Sequence, residues 1–328
     1  EPDILPRGSA YQVGRRMMTS MCPAIVRRSD DRWLALGSAG SARIRSATVQ
    51  VLVNALDSGA SLQQAVQQPR IHVQGDTLYV EGYGRTPDEV RAIEASLRAA
   101  EAGLEAGLEA LRSCRIRKGW LMRDGRRFTA EDLRSVINTR VMAEGCVPAH
   151  TICAPGDQAV DPHEEGHGPI RAHTPVVIDV FPRSEKTGYF GDLTRTVVRG
   201  RASFALHELY AIVHEGVRLG HRRIRDGVQG LDVHQEIQAL FARQGYKTGV
   251  QKGRMQGFFH GTGHGVGLQI HEAPSVGKRP SLLEAGHVVT VEPGLYYLGL
   301  GGVRIEDMAL VRKRDSRCLT RVPKQLEI

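Results

Sequence analysis

The sequence has no run of about 18 consecutive apolar residues, so it excludes a helix that spans a membrane and predicts no membrane partner. Its cysteines are few, odd in number and without a Cys-x-x-Cys pair, which excludes a disulfide framework and a thiolate zinc site. We expect mostly buried or incidental thiols in a reducing compartment, the cytoplasm. The chain begins at Glu1 with neither Met nor an apolar leader, so we expect a fragment or a processed protein.

What is present is ordinary for a globular protein. A hydrophobic share of 41% excludes a disordered chain, and 328 residues suit two domains. The net charge of +8 lies almost wholly in residues 98–328, where basic residues are interspersed with acids. This pattern favours a solvated basic surface over a nucleic-acid site, so we expect no nucleic-acid partner.

The best boundary between the two domains is the segment from Gly82 to Pro87. Residues 1–82 alternate short apolar runs with turn residues. Predicted strands there are Cys22–Val26, Trp33–Leu36 and Thr77–Val80, and predicted helices are Thr48–Leu56 and residues 62–68. After the boundary, Thr86 caps a long helix whose apolar face Gly103 and Gly107 weaken. Further helices are predicted at Thr129–Glu144, Ser203–Arg225 and Asp232–Gln244, and further strands at Val176–Phe181, Thr194–Val198, Val288–Val291 and Met308–Val311.

Acids and histidines at strand ends are the informative residues of the second part. Asp179 ends a buried strand, and Asp192 opens the next one after a loop. Two acids on consecutive hairpin strands converge on one point, although alone they also fit a strand end and a turn cap. Three histidines follow within twelve residues, in a glycine-rich run that permits close backbone approach: His260, His264 and His271.

Two more acids end apolar strands, Glu292 and Glu306. An acid at the end of a buried strand needs a partner, and four carboxylates in one site repel each other. Two divalent cations would neutralise them, and oxygen-rich ligation with one imidazole suits manganese, cobalt, iron or zinc. The predicted metal ligands are therefore Asp179, Asp192, His264, Glu292 and Glu306.

Residues from about 85 to 328 resemble the creatinase, prolidase and methionine aminopeptidase family of pita-bread metallopeptidases. The resemblance rests on four motifs: Asp192-Leu-Thr-Arg-Thr196, His260-Gly-Thr-Gly-His264-Gly265, Val291-Glu-Pro-Gly-Leu-Tyr296 and Val303-Arg-Ile-Glu-Asp307. Ile178-Asp-Val-Phe-Pro182, Asp161-Pro-His163 and Arg304 are similar to the Xaa-Pro peptidase branch. It implies an α/β (α+β) pita-bread fold, with a curved antiparallel sheet and outer helices over residues 83–328. It also implies a homodimer that cleaves Xaa-Pro bonds of short peptides with a hydroxide bridging two metal ions, manganese for preference.

The same resemblance implies the roles of individual residues. Asp179 and Asp192 bind one ion, His264 and Glu292 the other, and Asp192 and Glu306 bridge them. Glu292 doubles as general base, and His271 stabilises the tetrahedral intermediate. Three further residues, with roles in substrate contact or in holding the ligands, are His163, His260 and Arg304. We prefer His163 to His167 because it lies in the Asp-Pro-His turn, and we expect the loop before Asp192 to absorb two extra residues.

Two other functions remain open for this part of the chain. One is a non-catalytic peptide-binding module on the same fold, which predicts missing ligands. The other is creatinase-like hydrolysis without metals, against which the intact ligand set argues. The remaining histidines are predicted to be superficial or structural: His150, His173, His207, His214, His221, His234 and His287.

Residues 1–82 resemble a different family, the C-terminal part of gamma-glutamyltranspeptidases. The matching segments are residues 16–26, 36–44, 54–59 and 65–72. The resemblance places Thr19 and Ser20 at a donor carboxylate, and Gly40 and Ser41 at an oxyanion hole. It implies a small, incomplete α/β segment of N-terminal-nucleophile-hydrolase type. That family uses an N-terminal threonine as its nucleophile, and Glu1 lies downstream of the position where this threonine is expected. We therefore expect a remnant without transferase activity.

Overall fold

The computed structural model describes residues 21–28, 30–38, 43–75, 77–80 and 85–328. It divides into two compact units, one reaching to Tyr83 and the other running from Gly84 to Ile328. The predicted transpeptidase site positions lie outside the described residues: Thr19, Ser20, Gly40 and Ser41. Among the described helices, none has the length and apolarity that crossing a membrane requires.

In the described residues of the first unit there are two hairpins, two helices and a small apolar core. Its elements are β1 (Ala24–Arg27), β2 (Trp33–Leu36), α1 (Ile44–Leu56), α2 (Leu62–Gln67), β3 (Ile71–Gln74) and β4 (Thr77–Val80). Strand β1 pairs with β2 and β3 with β4, both antiparallel. Helix α1 begins four residues before the predicted Thr48, and the Thr48 hydroxyl donates to the Ile44 carbonyl inside the helix. The N-terminal-nucleophile-hydrolase type of this unit stays a prediction.

The second unit contains the remaining helices and strands. Its helices are α3 (Pro87–Ser113), α4 (Ala130–Ala143), α5 (Phe204–Arg223) and α6 (Gly230–Arg243). Its first strands are β5 (Arg115–Arg117), β6 (Trp120–Arg123), β7 (Arg126–Arg127), β8 (Cys146–Val147), β9 (Ile152–Pro155), β10 (Pro175–Val180), β11 (Arg183–Ser184) and β12 (Leu193–Val198). The others are β13 (Gly249–Gln251), β14 (Arg254–Gln256), β15 (Gly263–Gly265), β16 (Glu272–Val276), β17 (Val288–Val291), β18 (Gly294–Tyr297), β19 (Gly301–Arg304), β20 (Asp307–Val311) and β21 (Ser316–Cys318).

Helix α3 starts where the sequence predicts. The Thr86 hydroxyl accepts from the Glu89 backbone, and the Glu89 carboxylate accepts from the Thr86 backbone, so the cap is reciprocal. Gly103 and Gly107 do not merely weaken the helix. A Cβ at Gly103 would lie 2.7 Å from Val141 Cγ2, and one at Gly107 would lie 2.8 Å from Ile137 Cγ1. The two glycines therefore allow α4 to pack closely against α3.

Two antiparallel sheets position the candidate site. One has the order β12-β10-β9, and the other has the order β16-β15-β17-β20-β21. Strands β18 and β19 form a separate hairpin. Buried apolar side chains from α3, α4 and the strands form one core cluster, and those from α5, α6 and the strands form a second. Strands β12, β17 and β20 contribute buried side chains to both clusters.

Candidate metal centre

Strands β10 and β12 bring the first two acids to one end of their sheet. Asp179 lies on β10 opposite Thr194 of β12, and Asp192 directly precedes β12. The connecting loop contains the short strand β11, which pairs with β8, so the extra loop length is taken up away from the sheet end. The Asp192 side chain is buried.

The second sheet supplies the imidazole and the other two acids. His264 is the middle residue of β15, and its register with β16 shifts directly after it. Glu292 follows β17, and Glu306 lies between β19 and β20. Strand β17 pairs with both β15 and β20, so the three residues lie on neighbouring inner strands of the sheet or directly next to them.

Four of the five predicted ligands lie a short distance from one another, namely Asp192, His264, Glu292 and Glu306. Asp192, His264 and Glu306 each offer a ligand atom within 4.8 Å of the other two. His264 Nε2 lies 3.3 Å from Glu292 Oε1 and 3.7 Å from Asp192 Oδ2. Within the described part of the chain, Asp179 Oδ1 and Glu306 Oε1 are buried without a hydrogen-bond partner.

Burial and the charges of neighbouring groups shift the pKa values of the four carboxyl groups. Burial, followed by the charges of neighbouring carboxylates, raises the pKa of Asp192 and Glu306 well above the usual value. Burial also raises the pKa of Asp179, although Arg304 opposes it. For Glu292, burial is outweighed by His264, whose hydrogen bond and charge lower the pKa of Glu292 to about 2.

This donor set fits divalent cations. Two buried carboxylate oxygens in the described structure have no partner, and an unpaired buried acceptor costs about 1–3 kcal/mol. Carboxylates with one imidazole are typical ligands of manganese, zinc or iron. Thr194 Oγ1 donates to Glu306 Oε2 at 2.7 Å, which fixes the orientation of that carboxylate.

Arg304 is buried, and its guanidinium group binds the Asp179 carboxylate. Its Nη2 donates to Asp179 Oδ2 at 2.7 Å, and its Nη1 donates to the Tyr296 hydroxyl at 3.1 Å. His260 Nε2 lies 2.8 Å from the same hydroxyl, and its Nδ1 lies 2.7 Å from the Gly261 carbonyl oxygen. Burial lowers the pKa of His260 to about 4, so this ring stays neutral. The geometry thus places Arg304 to orient a predicted ligand.

The other two predicted histidines lie at the exposed side of the cluster. The His271 ring stands perpendicular to that of His264, with centroids 4.3 Å apart. Burial, followed by the charge of His264, lowers the pKa of His271, and the exposed His163 adds a smaller lowering to the pKa of both His271 and His260. His167 instead hydrogen-bonds through its backbone to Gln158 and lies 3.4 Å from Glu164.

Two residues beside the cluster belong to the sequence motifs, but the sequence predicted no role for them. Tyr296 joins His260 to Arg304, and its position in Val291-Glu-Pro-Gly-Leu-Tyr296 was the available signal. Arg195 is fully buried and donates to the Glu306 carbonyl and to Asp307 Oδ1. The available signal for Arg195 was an arginine inside the predicted strand Thr194–Val198, whose residues are all buried in the structure.

A second group of possible ligands consists of His221, Asp307 and Cys318. The negative charge of its carboxylate is already compensated by neighbouring basic side chains. Asp307 Oδ1 accepts from Arg195, and Asp307 Oδ2 lies 2.7 Å from Lys324 Nζ and 3.3 Å from His221 Nε2. Burial would lower the pKa of His221, but its hydrogen bond to Asp307 raises it to about 9. His221 therefore has the structural role that the sequence predicts. All five cysteines are described and free, three of them buried.

Comparisons with known proteins point in the same direction as the geometry. The model of metallopeptidase family M24 matches residues 91–313, and that of gamma-glutamyltranspeptidase matches residues 6–107. An uncharacterized peptidase of Bacillus subtilis, YqhT, is 40% identical over 142 residues, 43% of this chain and 38% of that protein. A Xaa-Pro dipeptidase of Pyrococcus horikoshii is 34% identical over 178 residues, 54% of this chain and 48% of that protein. The chain thus spans less than half the length of these curated relatives.

Solved structures show the same fold. Prolidase from Pyrococcus furiosus has a TM-score of 0.64 and 27% identity, over 74% of this chain and 66% of that one. Xaa-Pro dipeptidase from Bacillus anthracis has a TM-score of 0.65 and 26% identity, over 89% of this chain and 80% of that one. These likenesses confirm the predicted pita-bread fold. The resemblance to gamma-glutamyltranspeptidase is also confirmed, although that match runs past residue 82, and the part of that family involved stays a prediction.

Proposed function

The chain belongs to metallopeptidase family M24, whose model covers residues 91–313, and on this basis we propose that it hydrolyses Xaa-Pro bonds of short peptides. The family implies divalent metal ions. We further propose two ions per chain, manganese for preference, with cobalt, zinc or iron as alternatives. A homodimeric state and a cytoplasmic location stay predictions.

The observation that carries the proposal is the buried cluster itself. Asp192, His264 and Glu306 offer ligand atoms within 4.8 Å of one another, and Glu292 lies 3.3 Å from His264. One oxygen of Asp179 and one of Glu306 are buried without a partner among the described residues. Asp179 and Asp192 would hold one ion, His264 and Glu292 the other, with Asp192 and Glu306 shared. Such ions, when bound, activate a water and polarise the scissile carbonyl.

The chain's own residues supply the remaining chemistry. Glu292, whose Oε1 lies 3.3 Å from His264 Nε2, accepts a proton at its carboxylate. His271, exposed beside His264, donates a hydrogen bond to the oxyanion that develops on the substrate. His163 and the wall formed by His260 and Tyr296 contact the peptide, while Arg304 fixes Asp179.

The test is peptide hydrolysis by the purified full chain after reconstitution with manganese, cobalt or zinc. We expect turnover of an Ala-Pro dipeptide or an Ala-Pro-Ala tripeptide, and much slower turnover of a Met-initiated peptide without proline. The ratio of the first two rates separates a dipeptidase from an aminopeptidase. Glu292→Gln and a chelator should each abolish turnover.

Absence of turnover of all three peptides with every metal would refute the proposal. Binding of the peptides without turnover would favour the alternative, a non-catalytic peptide-binding module on the same fold. The intact set of candidate ligands argues against that alternative, because a binding module needs no buried carboxylates without partners. Turnover of creatine by the metal-free chain would favour creatinase-like chemistry instead.

A further inference from the structure

Positive charge is concentrated in one short segment far from the candidate metal centre in sequence. Residues 112–127 contain seven basic residues, six of them arginine, and one acid, so they account for most of the net charge of +8. The expectation that basic residues are interspersed with acids does not hold for this segment. The segment contains the whole three-stranded sheet β5-β6-β7, so the two faces of that sheet decide which of its charges lie together.

The register of this sheet sorts its side chains onto two faces. Arg115 lies opposite Met122, which lies opposite Arg127, and these three form one row. Arg117 lies opposite Trp120, and Trp120 bridges to Arg171, which gives a second row. Because alternate residues of a strand share a face, both rows lie on the same side. We call this side the arginine face: Arg115, Arg117, Trp120, Met122, Arg127 and Arg171.

The arginines of this face are exposed and lack acidic partners. Among the residues that the structure describes, no ion pair is formed by Arg115, Arg117, Arg127 or Arg171, or by Lys118 in the turn. On the opposite face, Arg126 pairs with Asp132 at 2.6 Å. Met122 lies between Arg115 and Arg127, and Trp120 lies between Arg117 and Arg171, so four unpaired guanidiniums share one surface around these two side chains. Their mutual repulsion favours an anionic partner.

The side chains of the arginine face favour one class of anionic partner over the others. The guanidinium carbons of Arg127 and Arg171 lie 4.4 and 4.3 Å from the Trp120 ring centroid. Guanidinium binds phosphate through two parallel hydrogen bonds and stacks on planar rings, which an ammonium does not. Trp120 and Met122 are half-buried, so this face offers no exposed apolar side chain for insertion into a membrane. A sheet face that carries an aromatic ring and guanidinium planes suits unstacked bases better than a duplex groove.

We propose that the arginine face binds the phosphate backbone of single-stranded nucleic acid without sequence preference. Phosphates contact Arg115 and Arg117, and bases stack on the guanidiniums over Trp120. This function is independent of the proposed peptidase activity, because it uses none of the candidate ligands.

The test uses the full chain with Trp33→Phe, which leaves Trp120 as the sole tryptophan. A fluorescein-labelled single-stranded oligonucleotide of mixed sequence is titrated by anisotropy at several salt concentrations, and tryptophan emission is recorded with an unlabelled strand. We expect quenching of Trp120 and an affinity that falls steeply with salt. Arg115→Gln with Arg117→Gln should weaken binding about tenfold or more at low salt and reduce the logarithmic salt slope by about 1.4, at about 0.7 for each lost contact.

The matched control is Arg225→Gln with Arg243→Gln, which removes two exposed charges elsewhere and should leave affinity and slope unchanged. Melting temperatures confirm that both double variants fold. An equal loss in the control would show that net charge alone attracts the strand, and would overturn the proposal. Failure of the oligonucleotide to bind would overturn it as well, and so would tighter binding of the face to poly-glutamate or to vesicles rich in phosphatidylserine.

Discussion

At the scale of single residues, the decisive property is whether a buried polar atom has a partner. Arg195 and Asp307 are buried together and satisfy each other. Asp179 and Glu306 each keep one oxygen buried without a partner in the described structure. That difference separates a structural ion pair from a candidate ligand, and it is visible only after folding.

His271 tests the division of roles within the site. Its ring packs against that of His264, yet it is not among the proposed ligands. We expect His271→Ala to lower kcat about 100-fold, because a donor to the developing oxyanion is lost. Metal content, measured by plasma mass spectrometry, should stay at the wild-type value. Loss of metal in this variant would instead make His271 part of the binding site.

His234 predicts a dependence of stability on pH. It is buried on α6, its Nδ1 lies 3.0 Å from Thr262 Oγ1, and its Nε2 has no partner among the described residues. Burial, followed by the charge of Lys278, lowers the pKa of His234 from 6.5 to about 4. The unfolded chain therefore takes up a proton first, and the neutral ring stabilises the fold above pH 6.5 but loses that contribution as the pH falls towards 4.

Urea denaturation of wild type and His234→Asn from pH 7 to pH 4 measures this effect. The wild type should lose up to about 3 kcal/mol relative to the variant over that range. Parallel profiles for the two proteins would mean that His234 does not titrate abnormally.

At the scale of elements, most of the fold could be predicted, because caps and apolar periods are local signals. Thr86 caps α3 as predicted, and Thr129, the predicted start of α4, caps that helix. Strands β2, β4 and β17 have their predicted ends. Strands β5 to β7 were not predicted, since their charged sequence lacks a continuous apolar pattern. The acids could be located at strand ends, but the link from His260 through Tyr296 to Arg304 depends on packing between distant segments.

The contact between α3 and α4 tests an element-level claim. Gly103→Ala would raise intrinsic helix propensity, yet the new Cβ would lie 2.7 Å from Val141 Cγ2. We expect a net loss of about 1–3 kcal/mol in the free energy of unfolding. Val141→Ala removes the clashing group, so the double variant should lose less than the two single variants combined. Strict additivity would show that the two positions do not interact.

At the scale of the whole molecule, the models of two families match overlapping parts of one chain. Both family models match residues 91–107, which lie within α3. The structure packs this helix against α4 in the second unit. The M24 part therefore includes the helix at which the transpeptidase match ends.

The distribution of the apolar cores predicts how the second unit unfolds when the first unit is removed. Both large apolar clusters lie within residues 84–328, whereas the described core of the first unit contains few residues. We expect a chain truncated to residues 85–328 to unfold in one cooperative transition, with the midpoint of the main transition of the full chain. Calorimetry of both proteins measures this. A midpoint lowered by about ten degrees or more would show that the first unit stabilises the second.

The central claim is that cations hold the buried carboxylates together. It is tested most directly by the ratio of bound metal to chain, measured by plasma mass spectrometry after manganese loading and removal of free ions. We predict about two ions per wild-type chain, and a clear loss in the double variant Asp192→Asn with Glu306→Gln, because both proposed bridging residues then lose their charge. A ratio near zero in the folded wild type, or an unchanged ratio in that variant, would contradict the claim.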